Sequence, residues 1–118
     1  MASTIRGDDN FDTVGSSNTN TRLAKAWVVF NGTGTLAVLG NYGVSSITDN
    51  AVGQYYINFS VAQANVNYAV ICSAANTASN GGNADYVVSK TTANCLARHY
   101  EAGTHRDSDN YQAVIFSS

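Results

Sequence analysis

Residues 54–61 alternate without exception. Tyr55, Ile57, Phe59 and Val61 fall on one face, and Gln54, Tyr56, Asn58 and Ser60 on the other. A period of two is that of a half-buried antiparallel strand. No window of the chain sustains the i, i+3, i+4, i+7 spacing of an amphipathic helix beyond one turn. Only 61–66 carries a hint of a single helical turn. Short apolar stretches closed by Gly, Asn or Asp clusters recur from Lys25 onward, the pattern of consecutive strands and turns.

The strand expectations follow from this pattern. Lys25–Phe30 forms the first, with Ala26, Val28 and Phe30 on one face and Trp27 and Val29 on the other. Asn31-Gly32-Thr33-Gly34 supplies a turn that tolerates positive φ. Thr35–Leu39 follows and Gly40-Asn41 breaks it. Val44–Ile47 is a short third strand, ended by a turn at Thr48-Asp49-Asn50. After 54–61 come 68–74, 86–89, 95–100 and 111–116. Eight short strands with glycine turns predict an all-β fold, an antiparallel β-sandwich or jelly-roll-like domain spanning 23–118. Residues 1–22 show no periodicity, and only Ile5, Phe11 and Val14 offer anchors. They read as an irregular N-terminal arm, with Ile5, Arg6, Phe11 and Val14 as candidate attachment residues.

Of the 118 residues, 12% are charged, against about a quarter in an ordinary soluble domain. Net charge is −2 with six Lys and Arg, too few cations to expect nucleic acid or an anionic membrane surface as a partner. No apolar run approaches the ~20 residues of a membrane span. The N-terminus lacks the apolar core of a signal peptide, so synthesis in a cytosol and reduced Cys72 and Cys95 are expected. Proline is absent and lysine is sparse, so sheet edges lack their usual guards. Together with apolar residues on both faces of the first strand, this predicts a homo-oligomer, with Trp27 and Tyr56 as candidate subunit contacts.

Catalytic patterns are missing, and no enzyme is expected. Cys95 and His99 are an even four residues apart, on one face of a strand but roughly 13 Å distant, too far for a nucleophile–base pair. Both histidines read as solvent-facing. Cys72, Cys95, His99 and His105 do not match zinc spacing, and Asp107-Ser108-Asp109-Asn110 lacks the rest of a calcium loop. That stretch reads as a solvated turn with nothing to shield Glu101, Asp107 or Asp109. No metal and no cofactor is expected. Seven tyrosines, one tryptophan and many small amides and hydroxyls are an inventory for recognition instead. The most varied polar groups lie on two loops, giving Asn76, Asn80, Asn83, Glu101, His105, Arg106, Asp107 and Asp109 as candidate receptor-facing residues.

Lys25-Ala26-Trp27-Val28-Val29-Phe30-Asn31-Gly32-Thr33-Gly34-Thr35, then Val44-Ser45-Ser46-Ile47-Thr48-Asp49-Asn50, Gly53-x-Tyr55-x-Ile57-Asn58-Phe59 and Asn67-Tyr68-Ala69-Val70, resemble a block of tailed-bacteriophage virion proteins, above all terminal modules of tail fibres. The opening from Ser3 to Asp12 is similar to the start of phage structural proteins. The resemblance implies a β-rich, trimeric virion-surface module without cofactor or catalytic residues. The expected function is a short tail-fibre or tip protein contacting other phage virion proteins and a host-surface glycan or protein. It would be made in the host bacterial cytoplasm and located in the virion. The alternative is a capsid decoration or cement protein that grips the shell through its arm.

Overall fold

The computed structural model describes residues 23–75 and 83–117. They form nine strands: β1 (Ala24–Asn31), β2 (Ala37–Tyr42), β3 (Val44–Ala51), β4 (Gln54–Phe59), β5 (Ala69–Ala74), β6 (Asn83–Lys90), β7 (Asn94–Glu101), β8 (Thr104–His105) and β9 (Tyr111–Phe116). One sheet has the order β2-β1-β9-β5. The other has the order β3-β4-β7-β6, with β8 paired to β7. All pairings are antiparallel. The chain is an all-β sandwich, and its described residues contain no helix.

Alternation decides which side chains fill the space between the sheets. Ala26, Val28 and Phe30 of β1 and Tyr111, Ala113 and Ile115 of β9 are buried from one side. Tyr55, Ile57 and Phe59 of β4 and Cys95 and Ala97 of β7 are buried from the other. The core is aromatic at both ends. Phe30, Tyr55 and Tyr111 meet with ring centroids 4.9–5.9 Å apart, and Phe59 stands edge-on to Tyr68 at 5.4 Å. These are favoured geometries for ring quadrupoles.

Several boundaries differ from the sequence expectation, among them the start of β6 at Asn83. β2 runs through Gly40 and Asn41 to Tyr42, because Gly40 and Asn41 pair with Val29 and Val28 of β1. The Trp27 ring lies over Gly40 at ordinary contact distance. β3 continues through Thr48 and Asp49, which pair with Tyr56 and Tyr55 of β4, and past a register shift at Asn50 to Ala51. The turn comes at Val52-Gly53, where Gly53 has φ +66° and a Cβ would collide with the Arg106 backbone. Val61 lies past the end of β4 and is exposed, and 61–66 has no helical turn. The added ninth strand is the two-residue β8, made by the hairpin at Ala102-Gly103.

Register gives the sandwich two distinct ends. Leu23, Gly43, the 60–68 connection, residues 91–93 and Ser117 lie at one end, by the start of β1 and the end of β9. Residues 32–36, 52–53, Ala75, Asn83 and 102–110 lie at the other. The open side between β5 and β6 is closed by side chains: Ala74 N–H donates to Asp85 Oδ2 at 3.2 Å, and Lys90 Nζ donates to the Tyr68 carbonyl at 2.8 Å. Two edge-strand groups are thereby blocked to strand addition.

The tightest of the packing constraints is at Gly32. A methyl group there would overlap the buried Tyr55 ring, which has no free space to retreat into. Gly32→Ala is expected to destabilise the fold by about 1–3 kcal/mol, read as a lower urea midpoint with an unchanged m-value. A change below about 0.5 kcal/mol, the size of an ordinary surface substitution, would contradict this packing.

Candidate functional site

The loop end holds most of the candidate recognition residues, and buried hydrogen bonds fix its shape. Residues 106–110 cross from one sheet to the other. Asp107 Oδ1 accepts from the Gly53 amide and from the Tyr55 hydroxyl, both at 2.8 Å. The Gly32 amide donates to the Ser108 carbonyl and the Ala75 amide to the Asn110 carbonyl, each at 2.8 Å. The Ser108 hydroxyl donates to the Ala75 carbonyl at 2.8 Å. The solvated turn expected at Asp107–Asn110 is thus a clamp. Ser108 is fully buried and Asp107 half-buried, because their polar atoms satisfy backbone groups between the sheets.

A second polar group lies deeper. The His99 ring, 0% exposed, stands between two carboxylates. Its Nδ1 is 2.6 Å from Asp85 Oδ1 and its Nε2 is 2.5 Å from Glu101 Oε2. Two such bonds need a proton in each, shared among three groups. Either the ring is imidazolium, or it is neutral and one carboxyl carries the second proton. Asp85 also accepts from Ala74 on β5, so the cluster links β6 and β7 to the opposite sheet.

This overturns two expectations. His99 does not face solvent, and Glu101 is shielded: it is 0% exposed, so it does not face a receptor from this chain. The signal was present in the alternation of β7. Counting by twos from Cys95 gives Ala97, His99 and Glu101, all inward, and register places Asp85 opposite His99. The expected turn chemistry of Glu101 hid that count.

The other candidates divide as follows. Asn83 is exposed at the start of β6, Arg106 and Asp109 are exposed, and His105 is half-buried against Tyr100, ring centroids 5.2 Å apart. These lie at one end of the sandwich. Asn76 and Asn80, and Ile5, Arg6, Phe11 and Val14 of the arm, lie outside the described residues. Trp27 and Tyr56 point from opposite outer faces of the sandwich, so they do not share one contact surface. The outer face around Tyr56 is polar: Asn58 Nδ2 donates to Ser46 Oγ and Thr48 Oγ1, and Asn94 Nδ2 donates to Asn58 Oδ1.

Burial sets the chemistry of the inward titratable groups. Desolvation pushes the Cys95 thiol up to about 12, and raises Cys72 more modestly. Both thiols are free. Desolvation likewise raises the Tyr55, Tyr68 and Tyr111 hydroxyls, with the Asp107 carboxylate adding to the effect on Tyr55. Among the described residues no group of three or more His, Cys, Asp and Glu is placed to hold a metal ion. A groove of about 530 Å³ between β5 and β6, lined by Val70, Cys72, Asp85, Val87 and Lys90 among others, is the larger of two surface depressions noted in the described residues.

Comparison of the chain with protein-family models, with curated proteins and with solved structures finds no match.

Removing the middle member of a buried polar cluster takes one hydrogen bond from each of its two carboxyl groups. His99→Gln cannot span both carboxyl groups from opposite sides of a ring, and is expected to cost about 3–5 kcal/mol in denaturant unfolding. A loss under about 1 kcal/mol, the worth of an exposed ion pair, would show that the cluster does not hold the sheets together.

Proposed function

We propose that this chain is a virion structural protein of a tailed bacteriophage, a short fibre or tip subunit that forms a homotrimer and turns its loop end toward the host surface. The sequence resemblance supplies the phage context. The observation that carries the reading is the polarity of the sandwich. Leu23, where the arm joins, and Ser117 lie at one end, and Asn83, His105, Arg106 and Asp109 lie at the other. A fibre tip needs that arrangement, with attachment at one pole and recognition at the opposite one.

The clamped loop supports the same reading. Loops that carry binding groups gain affinity when they are ordered before contact, because less entropy is lost on binding. Residues 102–110 are ordered by Asp107 and Ser108 from below, which leaves Arg106 and Asp109 outward. Three copies on one axis would triple the contact, and multivalence turns weak single contacts into useful avidity.

The test is localisation by cryo-electron microscopy of particles made from the genome that encodes this chain. The expected result is density at a tail or fibre tip, with residues 102–110 outermost and Leu23 toward the particle. Density repeated over the capsid lattice, with residues 1–22 gripping the shell, would replace this reading with the cement protein. Absence from the particle would overturn both.

A further inference from the structure

We infer that the outer face of the sheet β2-β1-β9-β5 is the surface through which copies of this chain meet. The inference names the partner and the face for the assembly proposed above, and depends on that proposal only for the number of copies.

Register builds the face. Tyr42 pairs with Trp27, Trp27 with Val114 and Val114 with Ile71, so one apolar row crosses all four strands on the outer side. Tyr42 is 62% exposed, Trp27 39% and Ile71 64%. On one side the row is flanked by Gly40, Val29, Gln112 and Ser73, on the other by Phe116 and Ala69. The outward positions in these pairings are uncharged, and the one charge bordering the face is Lys25, which follows the alternation of Trp27 and Val29 and stands beside Tyr42. The Trp27 ring lies over Gly40, which keeps the surface flat.

Strand spacing of ~4.8 Å and a rise of ~3.4 Å per residue make this face about 19 by 20 Å, on the order of 400 Å² in projection. The largest apolar patch on an ordinary monomer is roughly 300–600 Å² and is often functional. A stable interface uses about 800 Å² of accessible surface per partner. A corrugated face exceeds its projection, and the exposed Leu39 of β2 extends it along the border. The face therefore supplies about half of that area in projection, the apolar centre of an interface whose rim lies on the surrounding segments.

A second copy is the occupant that fits this surface. A face whose one bordering charge is Lys25 brings little like-charge repulsion when it opposes itself, and two flat sheet faces stack at ~10 Å. A nucleic acid or an anionic surface would find a single cation here, where such partners need several. The outer face of the other sheet contrasts with it: Ser46, Thr48, Asn58 and Asn94 bond to one another there and Arg98 carries a charge, so that side is suited to water.

The test is light-scattering mass of the full chain from micromolar to submillimolar concentration. The wild type is expected to assemble. Ile71→Glu and Trp27→Glu are expected to weaken assembly at least tenfold, with the far-ultraviolet β spectrum retained, and Ile71→Ser is the milder check on folding. Tyr56→Glu, on the opposite face, is expected to leave the mass unchanged. A monomeric wild type, or an oligomer dissolved by Tyr56→Glu and untouched by Ile71→Glu, would overturn the inference. A dimer dissolved by Ile71→Glu would uphold this face and contradict the trimer.

Discussion

The Asp107 carboxylate is the point on which the loop end of the sandwich depends. A single oxygen takes the Tyr55 hydroxyl from β4 and the Gly53 amide from the β3–β4 turn. Tyr55 is fully buried between Phe30 and Tyr111, one from each central strand of the facing sheet. Its hydroxyl needs a partner there, since burying one unpaired costs about 1–3 kcal/mol. Asp107 supplies that partner and in doing so draws residues 106–110 across the gap. The adjacent Ser108 then satisfies Gly32 and Ala75 on the opposite sheet. A loop that looks hydrophilic in sequence is thus part of the interior.

The same logic recurs along the open side of the sandwich. Neither β5 nor β6 has a strand across the gap, and a bare edge invites pairing with another chain. Asp85 and Lys90 reach over from β6 and occupy an amide and a carbonyl of the β5 segment. Asp85 is held in turn by His99, and His99 by Glu101. Polar residues inside this small core do the work that extra strands do in larger sandwiches. The apolar surface left over appears outside, on the face of β2-β1-β9-β5, and that displacement links the economy of the core to assembly.

The fold was legible because alternation is a physical constraint on a strand with one wet face. The inward sets Ala26, Val28, Phe30 and Tyr55, Ile57, Phe59 could be read directly, and Tyr111–Phe116 matched β9 to the residue. A glycine does not always end a strand: Gly40 suggests a break and instead pairs with Val29 within β2. The Thr48-Asp49-Asn50 cluster suggests a turn, and instead Thr48 and Asp49 pair along β4 with a register shift at Asn50. For the candidate site, residue type outweighed position. Glu101 and Asp107 were grouped with Arg106 and Asp109 because all are polar, although the count along β7 already turned Glu101 inward. The contribution of Asp107 depends on Tyr55, 52 residues away in sequence, and no local pattern carries that.

The central claim, that the polar loop end is a structural clamp, is tested most directly by native-state hydrogen exchange at three loop-end amides. Gly32, Gly53 and Ala75 donate to Ser108, Asp107 and Asn110. The account expects them to exchange as slowly as the central strands β1 and β9, through global unfolding, and to lose that protection together in Asp107→Asn. Exchange as fast as that of the exposed 64–67 segment would contradict it, and would make residues 106–110 an ordinary surface loop.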